Sequence, residues 1–378
     1  MKILHIIPNL KKGGAERIVI DIVRQLCMDP SLDVKLVLFE NQIEYDVQDL
    51  EPIIEIIPSH IRLSLGHKNE YAVNELQSFL DAFQPTIIHS HLYEAEVTSR
   101  SCFYPSAKWF THSHDRMQSF NNLAFRSLNS KRALTNYFEK KYLLKRYTAN
   151  GGNHFIAISE NIELFLKSVL PTKGFKIHLL HNAIDVKRFK KSTNFVSSKD
   201  HQVFQLISIG RMDTNKNHQF LVDVVHDLTT KQIPVHLTLV GDGPQRDVLQ
   251  EKINQLNLQH HISLVGIQEH VEDYLWKADL YIHSAITEGF GLTLLEAMAA
   301  GLPVVTLNGG GNKNLIHHGE NGYIIDEQDV TLFSNYITTF VQNKISLELS
   351  SKYAVDFANN FDITTYCEKL TIIYKKVL

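Results

Sequence analysis

Long apolar runs are missing from this chain of 378 residues. No window approaches the roughly 20 apolar residues that a membrane-crossing helix needs. The opening Met1-Lys2-Ile3-Leu4-His5-Ile6-Ile7-Pro8 is too short for a secretory signal, ends in proline, and reads as a first strand. Cysteine is scarce as well. The three present, Cys27, Cys102 and Cys367, show neither a pairing pattern nor a metal spacing, which excludes a disulfide scaffold and points to the reducing cytoplasm. Neither sign of charge is in excess: 38 Lys and Arg face 41 Asp and Glu, a net of −3, so composition gives no support to a nucleic-acid partner. What is there is a globular composition, 44 % hydrophobic and 21 % charged. The length exceeds what one core usually organises, so two domains of about 180 residues each are expected.

The most informative stretch spans residues 278 to 305. Leu280 to Ile282 reads as a buried parallel strand, followed by the polar turn Thr287-Glu288-Gly289-Phe290-Gly291. Leu292, Leu294, Leu295, Met298 and Ala299 then recur at helical spacing until Gly301-Leu302-Pro303 stops the helix. Gly289 and Gly291 let a ligand approach the backbone, and the free N–H groups of Leu292 and Thr293 at a helix start favour an anion. Glu288 precedes the helix and Glu296 lies further along it, so the two carboxylates are set along a ligand rather than opposed as a catalytic pair.

Glu288 and Glu296, as E-x7-E within EGFGLTLLEAMAAGLPVV, resemble the signature of the retaining glycosyltransferases of family 4. The resemblance implies an α/β chain of GT-B architecture, two Rossmann-like domains facing each other across a cleft. It further implies that Glu288 and the amides of Gly289, Phe290, Gly291, Leu292 and Thr293 contact the donor sugar and diphosphate, and that Glu296 accepts from the ribose hydroxyls. The other motifs of the chain can be set beside it.

After the first strand comes Gly13-Gly14-Ala15-Glu16, with Ile18, Val19, Ile22, Val23 and Leu26 on one helical face. A glycine pair between strand and helix is either a plain tight turn or a place of ligand approach; the dinucleotide fingerprint G-x-G-x-x-G is absent. It resembles the GGAE turn of the family, which assigns Gly14 to the acceptor or donor phosphate. Further strands are expected at Val34 to Phe39, Thr86 to His89, Lys108 to Thr111 and Phe155 to Ile158, an alternation that gives a mostly parallel sheet. Two of them end in His89-Ser90-His91 and His112-Ser113-His114-Asp115, where the crevice of an open sheet lies. These four imidazoles could ligate zinc, but no structural-site spacing or cysteine accompanies them, and the expectation is no metal. His114 matches the family histidine that hydrogen-bonds the donor sugar, a role an uncharged imidazole suits, with His112 as its local rival.

Residues 125 to 147 are strongly basic, with Lys140, Lys141, Lys145 and Arg146 among aromatic and aliphatic side chains and only Glu139 as an acid. The segment reads as an interfacial helix on an anionic membrane, as a holder of an anionic acceptor, or as an ordinary solvated helix face. His181-Asn182-Ala183-Ile184-Asp185 resembles the family's passage between domains. The expected division is 1–185, a linker at 186–202, a second domain at 203–355, and a helical tail at 356–378 that packs back on the first domain.

The second domain opens with a strand at Phe204 to Ile209, then Gly210-Arg211 and Lys216-Asn217. Two cations at a strand end fit a departing diphosphate, and the resemblance assigns Arg211 and Lys216 that role. Gly241-Asp242-Gly243 and Gly266-Ile267 follow two more strands; the resemblance puts Gly243, Gly266 and Ile267 near base and sugar, and they also serve as plain turns. Asn314 stands where many family members carry Glu. With no Asp-x-Asp motif, the resemblance implies a metal-independent hexosyl or N-acetylhexosaminyl transferase. It would need no cofactor beyond its nucleotide-sugar cosubstrate, UDP favoured over GDP, and would act on a glycan or lipid-linked acceptor in surface polysaccharide or glycoconjugate synthesis. A nucleotide-sugar epimerase, a glycan phosphorylase and a noncatalytic sugar binder are the alternatives.

Overall fold

Short β-branched runs alternating with amphipathic helices build two parallel sheets, because strands buried on both faces need a helical crossover between each pair. The computed structural model describes residues 1–63, 69–117, 120, 131–191 and 203–378. They form two units, Met1–Ala183 with Ile363–Leu378, and Ile184–Asp362. Two Rossmann-like α/β domains of this kind make the GT-B fold.

In the first unit the strand Lys2–Ile7 pairs with Asp33–Leu38 on one side and Ile87–His91 on the other. Ile54–Ile56 extends one edge; Lys108–Ser113, Asn153–Ala157 and Phe175–Leu179 extend the other. The helix Gly14–Leu26 buries the stripe anticipated from its spacing, Ile18, Val19, Ile22, Val23 and Leu26. Beside it the helix Ile363–Val377 buries Tyr366, Leu370 and Tyr374, and its Cys367 Sγ donates to Ile22 O at 3.8 Å. Each such large side chain contributes about 1.5–3 kcal/mol on burial, which is why the chain's end belongs to this unit.

The second sheet repeats the plan around Phe204–Ile209, flanked by Val235–Val240 and by Leu280–His283. Ile262–Gly266 closes one edge; Val304–Leu307 and Gly322–Ile325 close the other.

The units divide at different residues from those expected. Ile184 already belongs to the second unit, its N–H donating to Phe361 O at 3.0 Å. The helix Val186–Phe189 is anchored there by Arg188 on Glu272 at 3.0 Å and by Trp276 Nε1 donating to Phe189 O at 2.7 Å. Residues 356–362 also stay with the second unit. Residues 192–202 of the expected linker lie outside the described residues.

Candidate active site

In an open α/β sheet, ligands bind beyond the carboxyl ends of the strands where the strand order reverses. In the second unit that point lies between Phe204–Ile209 and Leu280–His283, so the chain that follows each strand meets there. From one side come Gly210, Arg211 and Lys216; from the other, His283 and Glu288.

Glu288 is the centre of this arrangement. Its Oε2 accepts from Lys216 Nζ at 2.8 Å and lies 3.1 Å from His283 Nε2. Burial acts to raise the carboxyl's pKa, but the His283 hydrogen bond and the Lys216 cation outweigh it and hold it at about 2. Burial keeps His283, 1 % exposed, below its ordinary value despite that carboxylate. Glu288 is therefore a fixed anion braced by a cation and an imidazole.

The backbone around it is equally fixed. Glu288 N–H donates to Gly309 O at 2.8 Å, and Gly311 N–H donates to Glu288 O at 3.0 Å. A Cβ on Gly311 would fall 2.2 Å from Gly289 O, so only glycine allows this approach. Asn215, next to Lys216, clasps the same turn: its Nδ2 donates to Thr287 O at 2.9 Å, and Thr287 N–H donates to its Oδ1 at 3.0 Å. Neither His283 nor Asn215 was singled out by sequence reasoning. His283 could have been found as a polar residue at a strand's carboxyl end, whereas Asn215 had only its place in the Arg211–Lys216 turn.

The other expected residues are distributed unevenly. Arg211 is exposed and forms no salt bridge among the described residues. Lys216 by contrast already compensates Glu288, so the two cations are not an equivalent pair. Gly291 caps the helix Leu292–Ala299 in the left-handed region, φ 106°, which presents the N–H groups of Leu292 and Thr293 at the helix start. Phe290 is 4 % exposed and packs on Phe361 with centroids 5.9 Å apart, so its ring belongs to the packing of the second unit. Glu296 is half-buried on that helix. Gly243 lies against the Arg211 turn, a Cβ there meeting Met212 O at 2.5 Å, and Gly241 N–H donates to Gly266 O at 2.8 Å. These glycines brace the Arg211 turn, while Ile267 beyond them is 61 % exposed.

In the first unit, Gly13 and Gly14 open the first helix. Tyr45 Oη donates to Gly13 O at 2.8 Å and accepts from Gly13 N–H at 2.9 Å, with Arg17 and Lys12 stacked over its ring. The histidine-bearing strands run further than expected, to His91 and Ser113, which places His89, His91, His112 and His114 on one face. His5, not singled out in the sequence, joins them through its register with His89. His5 Nδ1 lies 2.8 Å from His91 Nε2, and His91 Nδ1 lies 3.3 Å from His114 Nε2. His89 Nδ1 bonds the hydroxyl of Tyr374. Burial, then the neighbouring imidazoles, holds His91 and His114 well below the ordinary histidine value. His112 is buried and engaged with Asn182 Oδ1 at 3.2 Å, whereas His114 is half-exposed at the strand end.

Of the basic segment, residues 125–130 lie outside the described residues. The helix Lys131–Asn150 buries Leu143 and Tyr147, and Lys140 Nζ donates to Phe120 O at 3.1 Å. Lys141 and Lys145 are exposed beside Phe138, which is 50 % exposed. No helix among the described residues is long and apolar enough to cross a membrane.

The chain is 25 % identical over 233 residues to the phosphatidylinositol N-acetylglucosaminyltransferase gpi3 subunit of Schizosaccharomyces pombe, covering 60 % of this chain and 50 % of that protein. It is 23 % identical over 364 residues to a Campylobacter jejuni enzyme, N-acetylgalactosamine-N,N'-diacetylbacillosaminyl-diphospho-undecaprenol 4-alpha-N-acetylgalactosaminyltransferase, covering 91 % of each. The chain thus spans half the length of the first relative and nearly all of the second. Among solved structures, Anabaena HepE in complex with UDP-glucose has the same fold, with a TM-score of 0.79 at 21 % identity over 100 % of both chains. The Glycosyltransferase Family 4 model matches residues 12–188 and the Glycosyl transferases group 1 model matches residues 189–357, and with the two α/β units they assign the chain to the GT-B glycosyltransferases.

Proposed function

We propose that the protein is a retaining transferase that moves a sugar from a nucleoside diphosphate, UDP in preference to GDP, to a glycan or lipid-linked acceptor. The observation that carries this is the braced anion Glu288 beside the cationic turn of Arg211 and Lys216, at the strand-order reversal of the second unit. A departing diphosphate gains negative charge, which Arg211, the remaining donors of Lys216 and the amides of Leu292 and Thr293 stabilise. The sugar gains positive charge, which the fixed carboxylate of Glu288 offsets. The C1–O bond to phosphate breaks, the acceptor oxygen bonds C1 on the same face, and its proton passes to the departing phosphate oxygen. Glu296 accepts from the ribose.

Two relatives support the substrate classes: HepE binds UDP-glucose, and the Campylobacter jejuni relative has a diphospho-undecaprenol acceptor in its name. A lipid-linked acceptor agrees with work at the cytoplasmic face of a membrane, which the exposed Phe138, Lys141 and Lys145 would contact. The test is incubation with a panel of nucleotide sugars and acceptors, read by mass spectrometry, with the product's anomeric configuration read by NMR. Release of nucleoside diphosphate with a retained anomer is expected. An isomerised donor would make the protein an epimerase, an untouched donor would make it a binder, and an inverted product would end the retaining mechanism.

A further inference from the structure

The first sheet gathers more imidazole than one sugar contact requires, and the hydrogen bond of one ring assigns its lone pair. His112 Nε2 faces the carboxamide oxygen of Asn182 at 3.2 Å. That oxygen only accepts, so Nε2 carries the proton, and Nδ1, buried with no partner, is a bare lone pair. His91 Nδ1 faces His114 Nε2 at 3.3 Å, the edge of a tetrahedron whose metal–nitrogen bonds are about 2.0 Å. One ring nitrogen from each of His91, His112 and His114 lies within 4.8 Å of the other two.

We propose that His91, His112 and His114 form a site for one transition cation of the zinc class, reached through the half-exposed His114. The outer hydrogen bonds of such a site are in place. Coordination through His91 Nδ1 leaves its Nε2–H to donate to His5 Nδ1, as His112 Nε2–H donates to Asn182, and metal-bound imidazoles are oriented by such partners. Neutral nitrogen donors without a carboxylate favour zinc, copper or nickel over magnesium or calcium. His112 and His114 lie parallel, 4.2 Å apart at 2°, so an ion shared by all three requires one of these two rings to turn from its place here. The inner trio of His5, His89 and His91 is also within 4.8 Å, but all three are fully buried, which denies an ion a way in.

The test is titration of the full-length, chelator-stripped protein with Zn2+ against a chromophoric chelator, together with the absorption of bound Co2+. One equivalent with micromolar or tighter affinity and a tetrahedral cobalt spectrum is expected. His114→Ala should weaken binding at least tenfold, and Asn182→Ala about tenfold through the lost outer hydrogen bond. His317→Ala, in the second unit, controls for adventitious surface histidines and should change nothing. Thermal melts check folding; His114→Ala is the deciding variant because its side chain is half-exposed. Failure of the wild type to hold one equivalent, or equal affinity in His114→Ala, overturns the site.

Discussion

At the scale of single residues, the environment of Glu288 decides which substitutions are informative. Removing the whole side chain would strand Lys216 and His283, so Glu288→Gln is the cleaner variant; it keeps the shape and removes the charge. Turnover should fall about a hundredfold, the scale of losing one preorganised electrostatic partner, with nucleoside-diphosphate affinity nearly unchanged. Glu296→Ala should do the reverse, weakening the free nucleoside diphosphate by roughly 1.5–3 kcal/mol through a lost charged hydrogen bond. Steady-state kinetics and diphosphate titrations on both variants separate these outcomes. If Glu288→Gln lost diphosphate affinity but kept its turnover, the sugar would not lie at the Glu288 turn. A second expectation follows from Arg211 and Lys216 supplying the positive charge: activity of dialysed enzyme should survive excess chelator. An absolute Mg2+ or Mn2+ requirement for transfer would remove that role from them.

At the scale of elements, the helix Lys131–Asn150 carries its own prediction. Leu143 and Tyr147 face its unit and Lys140 is tied to Phe120 O, so among the described residues of this helix a membrane contact would fall to Phe138, Lys141 and Lys145. Lys141→Glu with Lys145→Glu should abolish flotation with anionic vesicles, and rising salt should weaken it in the wild type. Equal recovery with neutral and anionic vesicles would mean an ordinary solvated face. This scale also shows what the sequence could convey. The strand, glycine turn and helix around Glu288 were legible because local periodicity and punctuation write them. His5 was not, since its role arises from register between strands far apart in the chain, and His283 was not, since its role depends on the turn folding Glu288 back onto it. The edge strand Phe175–Leu179 was missed for a related reason: its half-buried alternation is short and carries no turn residue that marks a site. The glycines at 241 and 243 were visible as turns, but that they brace the Arg211 turn depends on two crossovers meeting.

At the scale of the whole molecule, the buried histidines set the response to acid. His218, 4 % exposed in the second unit, is brought from 6.5 to about 4 by burial and then by the nearby His283 and Lys216. His154 in the first unit is held at about 4, again chiefly by burial. The unfolded chain takes up these protons near pH 6.5 and the folded chain only near 4, so stability falls as pH drops through that interval and the loss is complete below it. For His218 the loss approaches roughly 3 kcal/mol at about 1.4 kcal/mol per pH unit. Glu288 acts in the same direction lower down. Its folded value of about 2 lies under the ordinary 4.5, so its contribution is intact above 4.5 and disappears as pH falls towards 2. Calorimetric melting temperatures should therefore be nearly flat above pH 7, decline between 6.5 and 4, and decline again below 4.5. His218→Asn should flatten the first decline for the second unit, and Glu288→Gln should flatten the second. Melting curves of His218→Asn and wild type that run parallel from pH 7 to 4 would show that the His218 proton is not what links that unit's stability to acid.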